Sequence, residues 1–212
     1  MEVAKMKWLS RGFYERDTLL VAKELIGKYL VRKYNGEYIV GRITETEAYI
    51  GAIDKACHAY GGKKTKRTQT LYLAGGTCYV YFVYGMYYCM NVVTERAGDA
   101  AAVLLRGVEL VEGQELAARL RYGKDFEGLS AYQKKNISNG PGKLCNALAI
   151  TKEDNEGSFC SDELFITDKW NGIKEEPFKI ETGPRIGINY AEEAIDFPWR
   201  FLMSRNGEKS SD

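Results

Sequence analysis

Asn35 and Gly36 stand between two β-prone runs, residues 28–34 and 37–49. An Asn-Gly joint of two residues favours a type I′ turn. Both central residues then take positive φ, and the turn's twist matches that of the strands it joins. The joint predicts a hairpin and, with it, an antiparallel sheet. The second arm carries Ile39, Ile43, Glu45, Glu47 and Tyr49 at alternate positions. A period of two puts all five on one face, and the isoleucines mark that face as buried. Glu47 is then expected where the apolar part of a sheet meets the edge of a core. Such a place raises a carboxylate pKa and leaves waters few and ordered.

The rest of the chain adds helices around that sheet. Asp17 reads as the N-cap of a helix reaching about residue 26, with Gly27 as its stop. Residues 61–76 read as an irregular, basic connection. Residues 77–83 and 86–93 read as two strands turning near Tyr84-Gly85, and 102–106 as another strand. Residues 112–122 look helical, with Gly123 at the end. Ser138-Asn139-Gly140-Pro141 opens a helix through Ala149, with Pro141 in its first turn. Later strands are expected at 164–167, 178–181 and 185–189, and the F-P-W-R-F-L-M segment packs back on the body. Strands and helices mix without a βαβ rhythm. The expected fold is α+β: a single domain over residues 1–212, with its core at about 13–205. It has a mainly antiparallel curved sheet, surrounding helices and a protruding β-hairpin.

Composition removes several functions. Lys plus Arg is 30 and Asp plus Glu is 29, so net charge names no partner. No apolar run is long enough to span a bilayer, and the start, M-E-V-A-K-M-K-W, lacks a signal peptide's apolar core. The five cysteines are odd in number and form no C-x-x-C pair, which argues against a disulfide framework or structural zinc. A reducing cytoplasmic compartment, no membrane partner, no metal and no cofactor are expected. His58 is the single histidine, so a Ser-His-Asp or Cys-His arrangement has one choice of base and a two-histidine zinc site has none. If the chain is a hydrolase, its base is a carboxylate sooner than an imidazole.

Several side chains carry chemistry, each with an ordinary structural reading beside it. Lys63, Lys64, Lys66 and Arg67 crowd one loop and suit phosphate oxygens; they equally suit a solvated loop. The turn at 138–142 offers free backbone N–H groups to a phosphate or simply begins a helix. Tyr79, Tyr81, Tyr84, Tyr87 and Tyr88 fall within ten residues. A core hairpin explains most of them, since aromatic residues favour strands. It explains Tyr84 less well, because a ring beside Gly85 at a turn points to solvent, the shape of a wedge for a base stack. Glu47 is a catalytic candidate or the partner of an arginine such as Arg42 or Arg106.

Taken together, these residues resemble the alkyladenine (3-methyladenine) DNA glycosylase family, in its compact bacterial form. The matching strings are R-I-T-E-T-E-A-Y at 42–49, D-K-A-C-H at 54–58, G-T-C-Y-V-Y-F-V-Y-G-M-Y-Y-C-M-N at 76–91, V-L-L-R at 103–106 and G-P-G-K-L-C-N-A-L-A-I at 140–150. R-I-G-I at 185 and P-W-R-F at 198 match more weakly. The resemblance implies a monofunctional enzyme that flips alkylated purines (3-methyladenine, 7-methylguanine and neutral lesions such as hypoxanthine or ethenoadenine) out of duplex DNA. It then hydrolyses the N-glycosidic bond to leave an abasic site. Glu47 would be the general base, and Arg106 would help hold the water. Tyr49, His58, Tyr81, Asn91 and Leu104 would form the base pocket. Tyr84 would be the wedge and Met86 its support. Lys63, Lys64, Lys66, Arg67 and Lys143 would meet the DNA backbone. The implied partner is double-stranded DNA carrying alkylated bases, met by a monomer, in the nucleoid of a bacterium or the nucleus of a eukaryote. Two rivals are a non-catalytic nucleic-acid-binding protein on the same fold and a hydrolase of free nucleosides. Release of base from methylated duplex separates them.

Overall fold

The computed structural model describes residues 7–205 except residue 175, so residues 1–6 of the amino-terminal stretch read above lie outside it. Its elements in chain order are α1 (Arg11–Tyr14), α2 (Thr18–Leu25), β1 (Tyr29–Tyr34), β2 (Glu37–Ile50), β3 (Cys78–Val83), β4 (Tyr87–Val93), β5 (Ala101–Glu112), α3 (Gln114–Tyr122), α4 (Ala131–Lys135), α5 (Pro141–Ala147), β6 (Leu164–Thr167), β7 (Lys179–Gly183) and β8 (Arg200–Ser204).

The Asn35-Gly36 hairpin forms as expected. Both residues have positive φ (49° and 85°), and Tyr34 faces Glu37 across the turn. All strand pairs are antiparallel in one curled sheet of order β3-β4-β5-β2-β1-β6. The β7–β8 pair is attached through β8 to residues 45–47 of β2. The fold is α+β, as the mixed pattern implies.

The helices cover one face of this sheet. The Asp17 carboxylate caps α2 by accepting from the Leu20 N–H at 2.9 Å. Val21, Ala22 and Leu25 of α2 are fully buried. They share a core with Ile39, Ile43, Val103, Leu105, Met90 and Val92 of the sheet and Leu144 and Ala147 of α5.

The expectation that Ile39, Ile43, Glu45, Glu47 and Tyr49 share one face fails, because the β2–β5 ladder is bulged. Ile43 faces Val108 and Glu45 faces Gly107, which makes Thr44 an extra residue on β2. Glu45–Gly107 is followed by Thr46–Leu105, which makes Arg106 an extra residue on β5. One inserted residue moves every later side chain to the opposite face. Ile39 and Ile43 therefore join the helix-covered core with Ala48. The Thr46 hydroxyl on that side donates to the Ala22 carbonyl at 2.9 Å. Glu45, Glu47 and Tyr49 lie on the other face, where Tyr49 packs with Tyr79, Tyr81 and Ala102.

Other boundaries move for local reasons. Residues 185–189 form no strand: Gly187 has φ of +76°, and the Arg185 side chain is drawn into the interior. The F-P-W-R-F-L-M segment returns as a paired strand, β8. The 102–106 strand continues to Glu112. The helix expected through Ala149 stops at Ala147, with Ala149 at φ of +50°. The helix α4 has a Ser130/Gln133 capping box that its S-x-x-Q spacing encodes.

Candidate active site

The strand register assembles the site on the face away from the helices. Glu47 of β2 faces Leu104 of β5, Leu104 faces Asn91 of β4, and Asn91 faces Tyr79 of β3. On the other side of β2, Glu47 faces Arg200 of β8. Side chains opposed across adjacent strands meet, so one row across five strands brings a carboxylate, an amide and a phenol together. Above the row lies a cavity of about 300 Å³, lined by Tyr49, His58, Tyr81, Asn91, Leu104 and Arg106 among others. Arg67, Tyr84, Ile186 and Tyr190 also line it.

Glu47 has no exposed surface and sits directly beneath the cavity floor, behind the lining residues Tyr49, Arg106 and Ile186 that contact it. Its Oε1 accepts the Ile186 N–H at 2.7 Å and lies 3.4 Å from the Arg106 Nε. Its Oε2 accepts the Tyr49 hydroxyl at 2.7 Å. Burial pushes the Glu47 carboxyl above its ordinary range, against the pull of Arg106, the Ile186 N–H and the Tyr49 hydroxyl. Burial of a charge in a low-dielectric site has this sign for any carboxyl. A carboxylate has about four lone-pair positions. Three polar groups approach this one, which leaves an acceptor position on Oε2.

Tyr49 is fixed from both ends. The Arg185 guanidinium lies over its ring at 4.7 Å and over the Trp199 ring at 5.0 Å. Arg185 is itself clamped by a fully buried, two-pronged bond to Asp54, at 2.6 and 2.8 Å, and donates to the Ala48 carbonyl at 2.8 Å. Asp54 also accepts the Ile50 and Ala56 N–H groups. One ion pair thus braces both the Tyr49 ring and, through the next residue, the Ile186 N–H that binds Glu47.

The opposite wall is aromatic. His58 meets Tyr81 edge-on, with centroids 4.7 Å apart, and its Nδ1 is 2.9 Å from the Tyr79 hydroxyl. Burial, with the nearby Arg67 charge, pushes the His58 pKa down to about 4, so the ring is neutral at physiological pH. The Arg67 guanidinium lies 5.1 Å over the Tyr81 ring and 3.3 Å from the His58 Nε2. Asn91 is buried, and its Nδ2 donates to the Tyr79 carbonyl at 3.1 Å.

The cavity mouth is apolar and exposed. Tyr84 and Gly85 form the β3–β4 turn with φ of 53° and 69°, and the Met86 N–H returns to the Val83 carbonyl at 3.2 Å. Two positive φ values in succession are the type I′ turn. Tyr84 is 80% exposed and Met86 63%. Ile186 and Tyr190 are exposed beside them. Lys63, Lys64 and Lys66 are exposed in the loop that precedes the short helical turn at Gln69–Tyr72. Lys143 donates to the Asn136 Oδ1 at 2.9 Å.

The structure therefore gathers Arg106, Tyr49, His58, Tyr81, Asn91 and Leu104 around one cavity, with Glu47 buried behind Tyr49 and Arg106, and sets Tyr84 at its rim. Of the five basic residues, it brings Arg67 alone into the lining. The Asp54–Arg185 pair, the Ile186 N–H and the links from Glu45 to Arg106 and Arg200 escape a reading of the sequence. Their partners lie far apart in the chain; their signal is that all three arginines fall inside short matched strings. Among the described residues, no three His, Cys, Asp or Glu side chains gather as metal ligands.

The chain is 57% identical, over 93% of its length and 96% of the relative's, to a Clostridium perfringens (strain SM101 / Type A) protein named "Putative 3-methyladenine DNA glycosylase". It is 48% identical, with the same coverage, to a protein of the same name from Clostridium botulinum (strain Loch Maree / Type A3). The sequence model of methylpurine-DNA glycosylase matches residues 12–207. This chain belongs to the methylpurine-DNA glycosylase family and is a DNA glycosylase.

Proposed function

We propose that the protein excises alkylated purines, 3-methyladenine and 7-methylguanine first among them, by hydrolysing the N-glycosidic bond of a base flipped into this cavity. The observation that carries the reading is the fully buried Glu47 carboxylate beneath an aromatic cavity. A base inside a duplex is out of reach, so it must be extruded at a cost of a few kcal/mol. Tyr84, with Met86 behind it, fills the vacated step from the minor groove. Lys63, Lys64, Lys66, Arg67 and Lys143 hold phosphates and make binding salt-dependent.

In the cavity the purine lies between Tyr49 on one side and His58 and Tyr81 on the other. Electron-rich ring faces attract a cationic base. The Arg67 guanidinium over Tyr81 illustrates that attraction with a planar cation of the chain's own. A neutral His58 adds no opposing charge, as an imidazolium would. Asn91, held by the Tyr79 carbonyl, disfavours a guanine-like exocyclic amine at its edge, and Leu104 packs beside it. Hypoxanthine and ethenoadenine are uncharged and need protonation to leave, so they react more slowly.

A cationic purine leaves without much acid assistance, and the sugar becomes oxocarbenium-like. Glu47 stabilises that charge and takes a proton from the attacking water, with Arg106 helping to hold the water. No lysine lines the cavity among the described residues, so no amine is placed to form an imine, and the product is an abasic site. One chain supplies every wall, which supports action as a monomer. The reading places the protein in the cytoplasm, on the nucleoid. Glu47→Gln is expected to bind lesion duplex as the wild type does and to lose excision of methylated duplex by roughly 1,000-fold or more. Multiple-turnover release of base by that variant would remove Glu47 from the role.

A further inference from the structure

The bulges at Thr44 and Arg106 have a chemical consequence. They set Glu45 and Glu47 on one face of β2 and lift Arg106 out of the ladder between them. The Arg106 Nε does not favour the buried carboxylate at the cavity floor. It donates to the Glu45 Oε1 at 2.8 Å and stands 3.4 Å from the Glu47 Oε1. The same Glu45 oxygen accepts from the Arg200 Nε at 2.6 Å. The result is an alternating row, Glu47–Arg106–Glu45–Arg200, that runs from the cavity floor to a second cleft lined by Glu45 and Arg200. Glu45 is buried, and among the described residues its Oε1 accepts from the two arginines alone.

A carboxylate in a full charge-assisted bond with arginine is a weak base, since the bond stabilises its charged form. At 2.8 Å the Arg106–Glu45 contact is such a bond. At 3.4 Å the Arg106–Glu47 contact lies beyond hydrogen-bond length for N–H to O. Glu45 therefore takes the stronger share of Arg106. We propose that Glu45 is a positioning residue: with Arg200, it holds the Arg106 guanidinium off Glu47 and so preserves the basicity of Glu47. This rests on the reading of Glu47 as general base.

The other groups facing Glu47 do not duplicate this. On β2, Tyr49 donates a hydrogen bond to Oε2. On β4, the Cys89 thiol is held up by burial and stays neutral. The irregular 185–186 segment gives the Ile186 N–H and the Arg185 charge, which is already taken by Asp54. On β8, Arg200 is turned to Glu45. Among the described residues, Glu45 is the one carboxylate besides Glu47 that is ion-paired with Arg106.

The test is the pH dependence of single-turnover base release from dimethyl-sulfate-methylated duplex. The rate rises with pH as the base loses its proton. Glu45→Gln removes a negative charge beside Glu47 and frees Arg106 to close on it. Both effects favour ionised Glu47, so the acid limb moves down by about 0.5–1 pH unit, and the plateau falls by about 10-fold. Arg200→Gln removes the positive charge shared with Glu45, whose negative charge Glu47 then feels more strongly, and the limb moves up. Glu45→Asp brings the limb back towards wild type. A merely structural role slows the variants without moving the limb in opposite directions. A stationary limb in both folded variants overturns the proposal. If Glu45→Gln does not fold, Arg200→Gln decides alone, since the Arg200 side chain is partly exposed. Retained excision by Glu47→Gln would instead point to failure of the general-base reading itself.

Discussion

The floor of the cavity and the tip of the β3–β4 hairpin depart from ordinary burial in opposite directions. At the floor a carboxylate has no exposed surface, whereas at the tip a tyrosine is 80% exposed. The floor holds its charge by reaching across the molecule, to Arg106 on β5, Ile186 in the carboxy-terminal third and Tyr49, which Arg185 braces. The tip sets its ring by local means, a two-residue turn with both φ values positive. A bulky residue in the left-handed region costs about 1–2 kcal/mol. The contrast separates two ways of storing cost at a site: one distributed and electrostatic, one local and conformational. Changes at the floor should spread, and changes at the tip should not.

The largest effect is expected where the floor is braced. Arg185→Met leaves Asp54 buried and unpaired, and breaking one partner of a buried pair costs about 3–5 kcal/mol. Thermal unfolding should fall by roughly 10 °C, and excision should fall with it because Tyr49 and the Ile186 N–H lose their support. An unchanged melting temperature would show that Asp54 and Arg185 do not act as a brace. A smaller effect of opposite sign is expected at Glu47. Its carboxyl is raised in the folded state. It therefore favours folding fully below its unfolded pKa, and that contribution is lost as pH rises through the folded value. Glu47→Gln, which does not titrate, should melt about 2–4 °C above wild type at pH 8, with the gap closing as pH falls below the usual carboxylate range. A gap that widens on acidification would mean that Arg106 and the Ile186 N–H outweigh burial.

The same contrast explains what the sequence makes legible. The tip is encoded in adjacent residues: strand-forming runs on either side of Tyr84-Gly85 state the turn, and a ring at a turn has nowhere to go but outward. The Asn35-Gly36 hairpin and the Asp17 cap are local in the same way. At the floor, alternation carries the reading of β2 only as far as Ile43, because a bulge leaves no mark in a period of two. The expectation that Glu47 is buried holds, on the face opposite to the isoleucines. The Arg185 segment looks β-prone in sequence, but Gly187 turns the backbone and Asp54, on the far side of the chain, claims the guanidinium. Pairings of this range depend on the assembled sheet, which is why the brace around Glu47 and the competition of Glu45 for Arg106 emerge only in three dimensions.

The smallest effect on stability is expected at the tip, and it bears most directly on the contrast. Tyr84→Gly removes a ring with little buried surface and relieves the positive φ, while the added glycine loosens the unfolded chain; these terms oppose each other. The net is expected to be a gain of about 0.5 kcal/mol, because the strain of a bulky residue at φ of 53° exceeds the entropy term. Lesion-duplex binding should weaken by about 10-fold or more, the scale of one lost base–aromatic stack, and binding of a free base should not change. Among the described residues no hydrogen bond or ion pair joins the tip to the floor, so the stability effects of Tyr84→Gly and Arg185→Met should add to within about 0.5 kcal/mol in the double variant. A larger coupling would mean that the hairpin tip senses the brace, through Tyr84 leaning toward Gly187, and that the proposed wedge and the proposed base are one mechanical unit rather than two.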